Sequence, residues 1–338
     1  MKKRLWTVRA AALGAALAFV TAAGVGVQAR EPEELIEVTE ISENVYQELK
    51  RNSGDSIKEK REVVGQALRI ANMPENVIEL LSDEFVRDVY SGGEMSLNIR
   101  YYIEKQDGTL KNIPREQYDR IQEYNQKIKG ENLSLSNNMG IQPLSFESGE
   151  ANGEISGLYH VLIGQTPDED HTMSCMSIAS WNTAPFMRLK DFIGIYTNNA
   201  NVISQSAVVS LNYEKNYYNQ HQVFSTNQEY YYNASEYIDN ANGAGREVQL
   251  PINVADPNTS TEHNVSYNIQ NLAIAMLIKI EPLSPQSEQN IRVVSDYYHR
   301  RLGLVSNIGI SDNGIGFSAT PTLCWSKSDV PINITYKP

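Results

Sequence analysis

The apolar positions of this chain change their period once, and the change divides it in two. Between residues 54 and 130 they recur at helical spacing. Ile57, Val64, Ala67, Leu68 and Ala71 share one face, with Ser56 and Glu59 spaced as a capping box ahead of them. Pro74 opens a second run, in which Val77, Leu81, Phe85 and Val89 recur at four-residue steps until Ser91-Gly92-Gly93 ends it. Residues 97–104 and 110–113 flank Asp107-Gly108, a pair suited to the positive φ of a tight hairpin turn. Pro114 starts a third helix carrying Tyr118, Ile121 and Ile128 and closed by Gly130. The expectation is a small helix–helix–hairpin–helix α+β domain over 54–130.

From Glu154 onward strand patterns replace helical ones. Residues 174–181, 202–213, 247–254, 265–280, 290–298, 302–310, 315–325 and 332–336 read as strands. Within 265–280, Leu272–Ile278 is apolar on both phases, as in a buried central strand. With no crossover helices between them, these strands predict a mainly antiparallel β-sandwich over 154–338. Residues 131–153 lack periodicity and read as a linker. Residues 30–53 form an acidic lead, read either as a helix or as an N-terminal arm.

Residues 1–29 read as an address. Lys2, Lys3, Arg4 and Arg9 precede a small-residue apolar run over 10–27, which closes on Val27-Gln28-Ala29. Those parts in that order make a secretory signal peptide, and the expected location is secreted or extracellular. A retained anchor is the alternative, although the run is mostly Ala and Gly. No stable membrane insertion is expected after signal removal.

Charge changes the picture further. The chain holds 29 Lys+Arg against 41 Asp+Glu, net −12. Loss of the four basic leader residues makes the mature form −16. Such a surface repels phosphate backbones, so nucleic acid is not an expected partner.

Candidate chemistry is sparse. Cys175 and Cys324 lie in separate strands; they form one disulfide or remain two buried thiols, and the sequence leaves both open. Asp168-Glu169-Asp170-His171 is the densest set of metal-ligand types, but it matches no cation-binding pattern and reads as a solvated loop. His160, His221, His263 and His299 are scattered, and no metal or cofactor is expected. Neither a Gly-x-Ser-x-Gly elbow nor a phosphate-binding glycine loop is present, so no catalytic residue is assigned.

The most unusual composition lies at 213–237, which holds seven of the 19 tyrosines. Tyr213, Tyr217, Tyr218, Tyr230, Tyr231 and Tyr232 form the candidate ligand-binding set, because a phenol offers both a flat apolar face and a hydrogen-bonding tip. Covering the edge of a β core would require the same residues. The expected function is a non-catalytic extracellular or cell-surface protein that binds a glycan or a protein. A secreted hydrolase acting on polysaccharide or cell-wall material is the alternative, with carboxylates assembled by the fold. A third class, a pore former that inserts strands, rests on the polar alternation between Val202 and Asn233.

Overall fold

The computed structural model describes residues 38–42, 45–48, 56–70, 73–91, 94–105, 108–139, 155–165, 171–185, 190–218, 223–231, 238–251, 266–300, 308–311, 314–317 and 325–338. Residues 1–29, read from the sequence as a signal peptide, lie outside them. In chain order the elements are β1 (Val38–Ser42), β2 (Val45–Glu48), α1 (Ile57–Ile70), α2 (Glu75–Glu79), α3 (Asp83–Ser91), β3 (Glu94–Glu104), β4 (Leu110–Ile113) and α4 (Arg115–Met139). There follow β5 (Gly157–Gln165), β6 (Met173–Trp181), β7 (Lys190–Asn198), β8 (Ala200–Val202), β9 (Val208–Tyr218), β10 (Val223–Tyr231), β11 (Ile238–Asn240) and β12 (Gly243–Gln249). The last are β13 (Ser266–Pro282), β14 (Gln289–Arg300), β15 (Ile308–Ser311), β16 (Gly314–Phe317) and β17 (Trp325–Tyr336).

The helix starts follow local chemistry. Ser56 and Glu59 form the expected capping box, with Ser56 N donating to Glu59 Oε2 at 2.7 Å and Glu59 N to Ser56 Oγ at 3.4 Å. The single helix expected from Pro74 onward is instead two. Ser82 Oγ accepts from Phe85 N at 3.1 Å, and this cap starts α3 afresh. The β3–β4 hairpin forms around Gly108, whose φ is 76°. The expected stop at Gly130 does not occur, and α4 runs on to Met139. One glycine costs a helix only about 1 kcal/mol, too little to end it alone. The first part of the expected 131–153 linker is therefore helical.

Every described strand pairing is antiparallel, as the missing crossover helices implied. The larger sheet runs β1-β2-β3-β5-β6-β13-β9-β10, with β4 on β3 and β8 on β13; the smaller runs β11-β12-β7-β14-β17. Two expectations need correction here. Residues 38–42 and 45–48 of the acidic lead are neither helix nor free arm, because β1 and β2 pair with each other and β2 pairs with β3. Nor do 54–130 and 154–338 have separate sheets. β3 pairs with β5 from Met95↔Gln165 to Ile103↔Gly157, which joins the N-terminal hairpin to the larger sheet.

The middle of the larger sheet is buried on both faces. Leu158, Leu162, Cys175, Trp181, Ile274 and Met276 meet Ile193, Ile195, Val293, Tyr297 and Ile332 of the smaller sheet. The alternate residues Tyr159, Val161, Ile163, Ile178, Ala275 and Leu277 meet Val64, Leu68, Val77, Phe85, Val89 and Ile121 of the helices. This explains why Leu272–Ile278 is apolar on both phases. Gly245 lies where β12 passes Phe192: a Cβ there would collide with the Phe192 ring and stand 3.1 Å from Ile193 O. Gly245→Ala is expected to lower unfolding free energy by about 1–3 kcal/mol, as overpacked cores do. Urea denaturation reads this, and an unchanged midpoint would show that the sheet gives way freely.

Candidate functional site

Three groupings of chemistry-bearing side chains emerge from the fold. The first two lie between the sheets and are sealed from solvent.

His299 on β14 is fully buried between two acids. Its Nδ1 lies 3.0 Å from Asp191 Oδ2 on β7, and its Nε2 lies 3.1 Å from Glu104 Oε1 on β3. Burial alone would lower the imidazole's pKa, but the flanking carboxylates outweigh it and push the value up to about 10. His299 is thus a buried cation that donates both N–H groups. Asp191 also accepts from Arg300 N at 3.1 Å and from the Tyr297 hydroxyl, and Tyr297 in turn accepts from Trp181 Nε1 at 3.0 Å.

The second grouping surrounds His160 on β5. Ser328 Oγ lies 2.6 Å from Nδ1, while Ser177 Oγ and Ser295 Oγ lie 3.0 and 2.8 Å from Nε2. Here burial, with Arg100 and Lys327 as positive neighbours, pushes the imidazole down to about 3. Serine beside histidine resembles a nucleophile and its base. Both partners are buried, however, so the arrangement ties strands of one sheet to strands of the other.

Acid pairs bear on the hydrolase alternative. Glu104 and Asp191 are separated by His299. Asp296 and Asp329 stand opposite each other in the β14–β17 register. Lys327 Nζ holds Asp296 at 2.8 Å, and Arg100 Nη1 holds Asp329 at 2.9 Å. Burial, and secondarily the charge on Asp329, pushes Asp296 up to about 6 against the pull of Lys327. Sequence patterns missed all these groups, because their members are separated by up to 229 residues.

The third grouping is the tyrosine segment. β9 and β10 pair without a break from Ser210↔Tyr231 to Tyr218↔Val223, and β10 ends the described order of the larger sheet. Tyr217 stands opposite Phe224 on β10 and Tyr267 on β13, so one row crosses three strands. Tyr213 is buried and belongs to the core between the sheets. Tyr217, Tyr218, Tyr230 and Tyr231 lie on the two outermost strands, whereas Tyr232 lies outside the described residues.

Cys175 is a free thiol, fully buried, and burial pushes it up to about 12. It is therefore not a thiolate nucleophile. Cys324 lies outside the described residues, as do Asp168, Glu169 and Asp170; His171 Nδ1 contacts the Tyr336 hydroxyl. No described helix is long and apolar enough to cross a membrane.

No protein-family model matches the chain, and no curated protein matches it. Solved structures give distant likenesses. Clostridium perfringens delta-toxin is 7% identical with a TM-score of 0.17, over 53% of this chain and 83% of that one. The collagen-binding domain of Erysipelothrix rhusiopathiae surface protein RspB is 5% identical with a TM-score of 0.18, over 54% and 66%. The membrane-inserted form of the Clostridium perfringens NetB toxin is 10% identical with a TM-score of 0.16, over 54% and 89%. TM-scores this low fall short of a shared fold and carry no functional argument.

Removing the imidazolium should leave two buried carboxylates facing each other. His299→Gln is expected to cost about 3–5 kcal/mol. The sign of the pH effect follows from linkage. A histidine raised from about 6.5 to about 10 contributes stability that is whole below pH 6.5 and lost as pH rises through 10. The native protein should lose stability across that window, and His299→Gln should lose markedly less. Parallel alkaline slopes in urea titrations would contradict the assignment.

Proposed function

We propose that this chain is an exported, non-catalytic binding protein built as a β-sandwich. On this reading, residues 1–29 direct it out of the cytoplasm, and the β9–β10 edge contacts an extracellular glycan or protein. The observation that carries the reading is the placement of Tyr217, Tyr218, Tyr230 and Tyr231 on the last two strands of the larger sheet. The register sets Tyr217 and Tyr230 on one face and Tyr218 and Tyr231 on the other, so each face of the edge has flat amphipathic rings with stacking area and hydrogen-bonding tips at low entropic cost.

The burial of the histidine groups supports a non-catalytic role. Each serine, histidine and acid in them already has partners within the core, and none meets solvent. The net charge of −16 without residues 1–29 favours neutral partners over acidic polymers.

The test is a fourfold variant, Tyr217, Tyr218, Tyr230 and Tyr231→Ala, compared with the native protein on immobilised neutral polysaccharides and extracellular matrix proteins. Retention should fall at least tenfold while the thermal midpoint of the body is kept. Equal retention by a folded variant would remove the tyrosine edge as the contact surface.

A further inference from the structure

We infer that the β9–β10 hairpin is also a membrane-inserting element, which leaves the sheet edge and joins the hairpins of other copies in a closed β-barrel pore. Its dimensions fit. A tilted strand needs about 9–11 residues to cross the hydrocarbon layer; β9 has 11 and β10 has 9. The connecting residues Asn219-Gln220-His221-Gln222 carry no acidic side chain, Lys or Arg that must be carried across.

The pattern fits as well. Register places Leu211 opposite Tyr230, Tyr213 opposite Gln228, Lys215 opposite Thr226 and Tyr217 opposite Phe224. The other phase pairs Asn212 with Glu229, Glu214 with Asn227 and Asn216 with Ser225. One phase thus carries Leu211, Tyr213, Tyr217, Phe224 and Tyr230 beside Lys215, Thr226 and Gln228, and the other carries amides, hydroxyls and carboxylates along its middle, with Tyr231 at one end and Tyr218 and Val223 at the other. That is the dyad repeat of a strand with lipid on one side and a water-filled lumen on the other. Lys215 stands three positions from the end of β9, close enough to the interface for its amine to reach water.

The attachment is of a kind that allows release. The β9–β13 ladder breaks register between Gln270 and Ala273, where Asn271 has φ 51°. The core beneath the helices takes Ala275 and Leu277 from β13 and no described residue of β9. Val208 is 37% exposed, and Ser210, Asn212 and Glu214 are half-buried. A lone hairpin in lipid would leave its edge backbone groups unsatisfied, so insertion requires several copies. Glu214 and Glu229 fall on the lumen phase without a Lys or Arg on that phase, which makes the pore cation-selective.

The test uses the full chain on phosphatidylcholine–cholesterol vesicles loaded with carboxyfluorescein. Asn212→Cys with Ala273→Cys places two thiols opposite each other in the β9–β13 register. The native chain should release dye. The oxidised variant should release it at least tenfold more slowly, and reductant should restore release, so the variant controls for its own folding. Glu214→Lys with Glu229→Lys should reverse the ion selectivity of planar-bilayer currents. No release by the native chain, or release unaffected by the oxidised lock, would overturn the pore. Retention on glycan or matrix protein without dye release would leave the binding reading intact and remove this one.

Discussion

The structure depends on a charged imidazole held between two carboxylates in the space between the sheets. His299, Asp191 and Glu104 come from three strands of two sheets, and all three side chains are sealed from water. Such a triplet is tolerated only when its hydrogen bonds are well made, because each unpaired buried charge costs several kcal/mol. Its geometry therefore restricts how far β3 may slide over β7 and β14. The His160 cluster adds a second tie with the opposite electrostatics. Hydroxyl partners leave that ring neutral, whereas carboxylates make the other a cation. Burial lowers both imidazoles alike, and only the carboxylates beside His299 reverse it, so one ring is neutral and the other a cation.

With the sheets fixed face to face, the edges decide where the surface is available. The smaller sheet's edge strand, β17, is covered. Ser96 Oγ donates to Asn333 O at 3.0 Å, Asn98 Nδ2 to Pro331 O at 2.8 Å and the Tyr102 hydroxyl to Asp329 O at 3.4 Å. These β3 side chains occupy carbonyls that would otherwise invite another strand. The helices in turn fasten to the middle of the larger sheet, with Lys279 Nζ 2.7 Å from Glu84 Oε1. β9 and β10 lie to the far side of β13 from that attachment. The proposed contact surface therefore lies where the core beneath the helices takes no described residue of β9, while Val209, Leu211 and Tyr213 on its other face meet the smaller sheet.

Much of the fold was legible because its signals are local. The capping box, the Asp107-Gly108 turn and the long β13 follow from residues within a few positions of one another. What failed was what depends on distant partners. β1 and β2 looked ambiguous because Val38, Ile41 and Val45 suit a helix face as well as a strand, and pairing with β3 decides between them. β5 is buried along its whole length, so it has no alternation to read. The single sheet that joins β3 to β5 was invisible because a pairing across more than 50 residues leaves no mark on either strand. For the site, the tyrosine segment was visible as composition. That Tyr213 serves the core while the other described tyrosines lie on the last two strands needed the register. The two histidine groups had no sequence signal at all.

The hairpin's double pattern also explains how one sequence suits two surroundings. At the sheet edge, Leu211 and Tyr213 fill the core while Ser210, Asn212 and Glu214 stand half-buried on the opposite phase. In a barrel the first phase would meet lipid and the second water, with no residue changing its preference. The backbone balance is nearly neutral too. The nine β9–β10 pairs survive intact, and the bonds from β9 to β13 are exchanged for equivalent bonds to a neighbouring copy's hairpin. The unfavourable part is local: the core loses Val209, Leu211 and Tyr213, roughly 1.5–3 kcal/mol for each large side chain withdrawn from an apolar setting. Lipid contact restores that amount only after insertion. The barrier therefore lies in leaving the edge, where the interrupted backbone ladder at Asn271 is bridged by its Nδ2 donating to Glu214 Oε2 at 2.8 Å.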